Sequence, residues 1–280
     1  MNTEHFWLAL ALGLAFCIIA MGTLWVYATA KRDASIVDVA WAGLLGTLAI
    51  VYAALGDGAP ERRVQIGVMG GFWGLRLSAY LLLDRVLRAS HEDGRYQELR
   101  ASWGDRANRN FFVFFQAQGL LAAVLSAPFA MAAFSDAPLR TLDFASAAIW
   151  LVALLGESLA DRQLAAWRRL PSNRGRTSRA GLWRYSRHPN YFFEWLMWCA
   201  FAGVASAAPL GWLAWLAPLF MLLLITKVTG IPPTEARALR SRGEDYRRYQ
   251  RSTNAFFPWV PRPEPMALEQ PNPDSWGHAP

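Results

Sequence analysis

The sequence predicts an all-α integral membrane protein: seven transmembrane helices, the N-terminus outside, the C-terminus cytoplasmic, and a short cytoplasmic helix after the last span. Three observations predict it. Of 280 residues, 54% are hydrophobic and the mean hydropathy is +0.15, a balance unusual for a soluble domain. The apolar residues gather into runs near the ~20 residues that cross a bilayer, at about 5–29, 36–56, 64–84, 110–134, 144–167, 190–206 and 209–228. Basic residues fall on alternate loops, where Lys31, Arg32, six arginines between Arg85 and Arg109, and seven between Arg168 and Arg187 outweigh Arg62, Arg63 and Arg140 in the intervening ones. That asymmetry sets the orientation. It also accounts for the net charge of +7 without nucleic acid as a partner.

Span one follows Met-Asn-Thr-Glu-His, which lacks the basic start of a signal peptide, and is too long for a signal's apolar region, so it is expected to be an anchor. Span two opens with Asp38 and Trp41 three apart on one helical face. A carboxyl group beside an aromatic ring near the membrane is a candidate proton donor if burial favours its neutral form. The bland alternative is a helix cap, or a pair with Lys31 or Arg32. Span three carries Trp73, Arg76 and Tyr80 at helical spacing. A membrane arginine pairs or lines a polar cavity, and Asp38 is one available partner.

The charged segment from His91 to Arg100, with Arg95 at its centre, reads equally as a solvated loop and as a ligand contact. In span four, Gln116 and Gln118 suit hydrogen bonds between helices. Span five ends with Glu157, Asp161, Leu164 and Arg168 on one stripe, which runs into a basic loop holding Arg174 and Arg176. Cys17 and Cys199 lie inside apolar runs, so neither a disulfide framework nor a metal site is expected.

The stretch from Gly181 to Trp195 carries polar chemistry into the start of an apolar helix. Pro189 suits a first helical turn, so the helix should begin near His188. Its free N–H groups and positive dipole end, beside Arg187 and His188, make an anion site. Asn190 and Glu194 share a face, and Glu194 lies a turn deep among Trp195, Leu196, Met197 and Trp198. An ionisable group there is a functional candidate. The basic loop feeding this helix start reads as a seat for a phosphorylated cofactor. After span seven, Thr234 is expected to cap a short helix. The aromatics Phe256, Phe257 and Trp259 suit a membrane interface, and the proline-rich tail beyond Pro261 is expected to be disordered.

The string Gly181-Leu-Trp-Arg-Tyr-Ser-Arg-His-Pro-Asn-Tyr191, with Glu194 four after Asn190, resembles the C-terminal signature of the steroid 5α-reductase superfamily. Within it, the chain is similar to bacterial membrane proteins carried under a domain-of-unknown-function label. Ser35 to Trp41, Glu92 to Tyr96, Ala160 to Gln163, Gly230 to Pro232 and Asp245 to Tyr249 extend the likeness over nearly the whole chain. The resemblance implies one transmembrane domain over residues 1–262, followed by the tail 263–280. Spans one to four would enclose a hydrophobic substrate, a steroid or other enone lipid, and spans five to seven would hold NADPH. It places the protein in the bacterial inner membrane, among membrane lipid, with the cofactor loops cytoplasmic.

By the same resemblance, Asn190 and Glu194 belong at the nicotinamide and Asp161 and Arg168 at the cofactor. Arg174, Arg176 and Arg187 belong at its phosphates, and Tyr185, His188 and Arg95 complete the set. Asp38 falls near the position where animal reductases hold the steroid 3-ketone, and Trp73 where they place a tyrosine. The implied reaction is reduction of the C=C bond of a conjugated ketone, with a 3-oxo-Δ4 steroid the foremost substrate. Negative charge then develops on the ketone oxygen and needs a positioned donor: protonated Asp38, Arg76 or Tyr80. Trp41, Trp73 and Gln116 are expected to line the substrate. No Rossmann glycine fingerprint occurs, so the cofactor would be held between spans. The C-terminal half also resembles isoprenylcysteine carboxyl methyltransferases, which share Arg-His-Pro-x-Tyr and use S-adenosylmethionine. Those favour paired glutamates after the last span, whereas here Glu235 is followed by Ala236.

Overall fold

The computed structural model describes residues 2–263, and among them there are helices and no strand. Six helical runs are long and apolar enough to cross a membrane: Thr3–Lys31, Ile36–Leu55, Pro60–Leu87, Gly94–Ala133, Thr141–Arg169 and Gly211–Ser252. The chain is an integral membrane protein. The run expected as span six forms a helix of 17 residues, Pro189–Ala205. At the α-helical rise it covers about 26 Å, short of the ~30 Å hydrocarbon core. Six of the expected spans are thus matched by helices long and apolar enough to cross, and the run expected as span six forms this shorter apolar helix.

The described residues form two compact units, one of residues 2–155 with Phe193–Leu223, the other of Gly156–Phe192 with residues 224–263.

In the first unit, α1 (Thr3–Lys31) starts where the Asn2 side chain accepts the amides of Glu4 and His5, at 3.1 and 3.3 Å. α2 (Ile36–Leu55) and α3 (Pro60–Leu81) pack backbone to backbone. A Cβ at Gly74 would lie 2.5 Å from the Gly46 nitrogen, and one at Gly46 would lie 2.9 Å from the Leu75 nitrogen. Gly74→Ala should therefore overpack this crossing and cost about 1–3 kcal/mol. A lowered melting temperature in detergent would show it, with Gly94→Ala as the control, since nothing lies within 4 Å of a Cβ at Gly94.

α3 runs on through a π-helical turn, Leu82–Leu87. The charged segment expected as a loop folds in part as α4 (Gly94–Trp103), started by the Asp93 carboxylate accepting the Arg95 amide at 2.9 Å. α5 (Ala107–Leu125) and α6 (Ala127–Ala133) follow, with Pro128 in the first turn of α6. The first turn of α7 (Thr141–Arg169) brings Asp143 to Arg62; both side chains are fully buried. The later part of α8 (Pro189–Ala205) and the short α9 (Leu216–Leu223) complete the unit, joined by Trp195 Nε1 donating to the Pro218 carbonyl at 3.1 Å.

The second unit is built around the last turns of α7. Trp183 Nε1 donates to the Ala160 carbonyl at 3.0 Å, and the Leu182 amide to Gln163 Oε1 at 2.9 Å. Gly181 takes φ +59°, and a Cβ there would lie 2.4 Å from the Gln163 amide group. The first turn of α8 begins at Pro189, as its sequence requires. α10 (Ile231–Ser252) is capped by Gly230 rather than by the expected Thr234, because Pro232 and Pro233 fit its first turn and draw the start back. Gly243, at φ 52°, kinks it. The tail expected to be disordered lies, but for its first residues, outside the described residues.

Candidate functional site

In the first unit the chemistry centres on Glu194. Its Oε1 accepts the indole N–H of Trp198 at 3.0 Å, and its Oε2 that of Trp73 at 3.2 Å. Trp198 is four residues on along α8, so helix geometry alone puts it on the same face. Both indoles are fully buried, with ring centroids 5.4 Å apart, and Trp41 stands edge-on to Trp73 at 6.5 Å. Inside an aromatic cluster this side chain thus accepts from two indoles.

Asp38, at the start of α2, lies in a different setting. Its carboxylate accepts from Arg85 Nη1, from Arg95 Nη2 at 2.6 Å and from the Tyr96 hydroxyl at 2.8 Å. Arg95 Nε also donates to Asp93 at 3.0 Å. Burial works against ionisation of Asp93, but hydrogen bonds from the Arg95 side chain and amide outweigh it and hold the carboxyl below its usual range. The Asp93 amide donates to Ser35 Oγ, and Glu92 accepts the Ala34 amide, both at 2.8 Å. A closed lattice of polar bonds therefore ties the α1–α2 turn to the start of α4.

In the second unit Glu235 is the hub. It accepts from Arg187 Nε and Gln250 Nε2, each at 2.7 Å, and from the Tyr246 hydroxyl at 3.3 Å. His188 Nε2 lies 3.2 Å away, which requires the Nε2–H tautomer. Arg187 Nη1 also reaches the carbonyls of Gln250 and Thr253. On the same unit Asn190 Nδ2 donates to Asp161 Oδ1 at 3.2 Å. Arg168, Arg174, Arg176 and Arg184 are exposed and have no ion pair among the described residues, and Tyr185 is exposed beside them in sequence.

The profile of a family described as Protein of unknown function (DUF1295) matches residues 24–253. The chain belongs to the DUF1295 family. No curated protein and no solved structure matches it.

The matched DUF1295 region contains every residue of these clusters, and several stand differently from the sequence-based expectation. Asp38, a candidate proton donor for which Lys31, Arg32 and Arg76 were possible partners, accepts from Arg85, Arg95 and Tyr96. Arg95, expected at the cofactor, is held by two carboxylates, because α4 delivers it onto Asp38. Trp73, expected against substrate, is fully buried with its N–H on Glu194. Arg187 and His188 were expected to grip phosphates. The anion drawn to the start of α8 is the chain's own Glu235.

Asp161 and Asn190 are in contact, and the arginines at 168, 174 and 176 present unneutralised charge. Trp41 Nε1 and Gln116 Oε1 are buried without a hydrogen-bond partner among the described residues, so each keeps an unused polar group. Arg76 and Tyr80 are partly buried on α3, with Tyr80 against Val39, Ala42 and Leu81. Residues not foreseen are Arg85, Tyr96 and Trp198. Only Trp198 had a local signal, its four-residue spacing from Glu194. No group of three or more His, Cys, Asp or Glu among the described residues is arranged for a metal ion.

Burial works against the charged form of His188 and lowers its pKa from 6.5, offset in part by the hydrogen bond to Glu235. The folded chain therefore binds this proton more weakly than the unfolded one, so the contribution to stability is fully present above about pH 6.5 and is lost as pH falls through the lowered value. Thermal unfolding in detergent should show the melting temperature falling as pH drops below about 6.5, and Glu235→Gln, which removes the group offsetting the shift, should steepen that fall.

Proposed function

We propose that this protein catalyses NADPH-dependent reduction of the C=C bond of a conjugated ketone, foremost a 3-oxo-Δ4 steroid or a lipid enone of similar size. What carries this reading is the Asn190–Asp161 hydrogen bond on a unit that also displays Arg168, Arg174 and Arg176 without counter-charges. An amide donor, a carboxylate acceptor and a set of guanidinium groups match the hydrogen-bonding atoms and phosphate charge of a nicotinamide dinucleotide phosphate. The family's relation to steroid 5α-reductase-like proteins supports the same reading.

Arg168, Arg174 and Arg176 would hold the phosphates through charge-assisted hydrogen bonds. Asn190 and Asp161 offer donor and acceptor atoms to a carboxamide. Bound there, NADPH supplies hydride. In the first unit, Glu194 is oriented by two indoles. Arg76 and Tyr80 are the α3 donors suited to negative charge developing on a ketone oxygen, work worth several kcal/mol in a dry site. Trp41 and Gln116 contribute one unpaired donor and one unpaired acceptor to a polar substituent of the substrate. The reading further takes α8 as a seventh span and sets the arginine-rich loops at the cytoplasmic face of a bacterial inner membrane.

The test is nucleotide extraction from detergent-purified protein, followed by an enone assay. Retained NADPH, consumed when an enone steroid is added, is the expected result. Nucleotide-free protein that binds S-adenosylmethionine tightly would replace this reading with membrane methyl transfer.

A further inference from the structure

Along α2 and α3 in the first unit runs an apolar groove of about 670 Å³. Its walls are Val64, Val68, Phe72 and Leu75 of α3 and Ile50 of α2, all strongly exposed, and its only charged lining residue is Arg63. From Arg63, in the first turn of α3, to Leu75 is a rise of about 18 Å. One leaflet of the hydrocarbon core is about 15 Å deep. The groove therefore has the length of one leaflet, with its cation near the end of the span where phosphates lie.

The guanidinium is fixed but not neutralised. Arg63 Nε donates to the Ala53 carbonyl at 2.8 Å and Nη2 to the Ala54 carbonyl at 3.0 Å, at the C-terminal end of α2. A helix C-terminus carries only about half a negative charge. No carboxylate pairs with Arg63 among the described residues, and its Nη1 is left for an outside acceptor. Cation and groove together have one complement: a phosphodiester attached to an acyl chain.

We propose that this groove binds a single glycerophospholipid, its phosphate on Arg63 and one acyl chain along Val64, Val68, Phe72 and Leu75. The site is independent of the proposed reaction.

The experiment is native mass spectrometry of the full chain in detergent, titrated with phosphatidylglycerol, with inorganic phosphate as competitor. Wild-type protein should retain one lipid that inorganic phosphate does not displace. Arg63→Gln should weaken retention about tenfold through loss of a charge-assisted bond. Val68→Trp, an exposed position whose enlargement fills the groove without entering the core, should weaken it comparably. Equal retention in wild type and both variants would overturn the proposal, as would displacement by inorganic phosphate. A wild-type dimer that Val68→Trp dissociates would assign the groove to a second copy instead.

Discussion

Arg62→Ala is expected to destabilise the protein by about 3–5 kcal/mol, the range for breaking one side of a buried ion pair. All five guanidinium N–H groups have acceptors. Nη1 donates to Asp143 Oδ1 at 2.6 Å and to the Val204 carbonyl at 2.9 Å; Nη2 donates to Asp143 Oδ2 at 2.8 Å and to the Pro138 carbonyl at 2.9 Å. Nε reaches the Ala137 carbonyl at 3.1 Å. Alanine would leave the Asp143 carboxylate buried with only the Arg140 amide and side chain against it, together with the carbonyls of Ala137 and Pro138 lacking a donor. Arg62→Lys should rescue little, since an ammonium is a point charge that cannot reproduce the bidentate fork. A double replacement, Arg62→Met with Asp143→Leu, removes both charges and should cost much less than the two single changes summed. Denaturant or thermal unfolding in a fixed detergent reads these variants, the two single changes of the double included, against wild type; Arg62→Ala within about 1 kcal/mol of wild type would show that the pair does not hold the fold.

The contrast between Arg62 and Pro189 explains which parts of this protein were legible beforehand. The start of α8 follows from one residue and its immediate neighbours, and it forms where that residue places it. The apolar runs are equally local, and six reappear as spans. Thr234 shows the limit of local reasoning, because two adjacent preferences competed and the prolines won. Partner choice across the chain is a different matter. Asp38 had Lys31, Arg32 and Arg76 as candidates and took Arg85 and Arg95, brought in by a π-helical turn and by a helix inside a segment that reads as charged loop. Similarly, Arg187 and His188 have the right chemistry for an exogenous anion, and only the fold shows that Glu235 has that place. The charge on a side chain is written in the sequence, but whether a neighbour has already neutralised it is not.

Glu194 is the residue on which this distinction can be tested most sharply, because its structural and chemical roles separate by substitution. Glu194→Ala removes the acceptor of two buried indoles, each an unsatisfied donor costing about 1–3 kcal/mol, so it should lower both stability and activity and prove nothing by itself. Glu194→Gln keeps one side-chain carbonyl and so satisfies one indole, while losing the negative charge. It should fold with a melting temperature well above that of the alanine variant. Trp198→Phe makes the opposite change, keeping the carboxylate and deleting one of its donors at little loss of apolar packing. If the charge acts on the reacting groups, Glu194→Gln should reduce NADPH consumption by about 10²–10³, the scale of a lost electrostatic contact in an active site. Trp198→Phe, which only loosens the carboxylate, should reduce it by far less. The reverse order, with the glutamine variant active and the phenylalanine variant not, would make Glu194 a packing partner of two tryptophans and leave Arg168, Arg174, Arg176 and the Asn190–Asp161 pair to carry the proposed reaction alone.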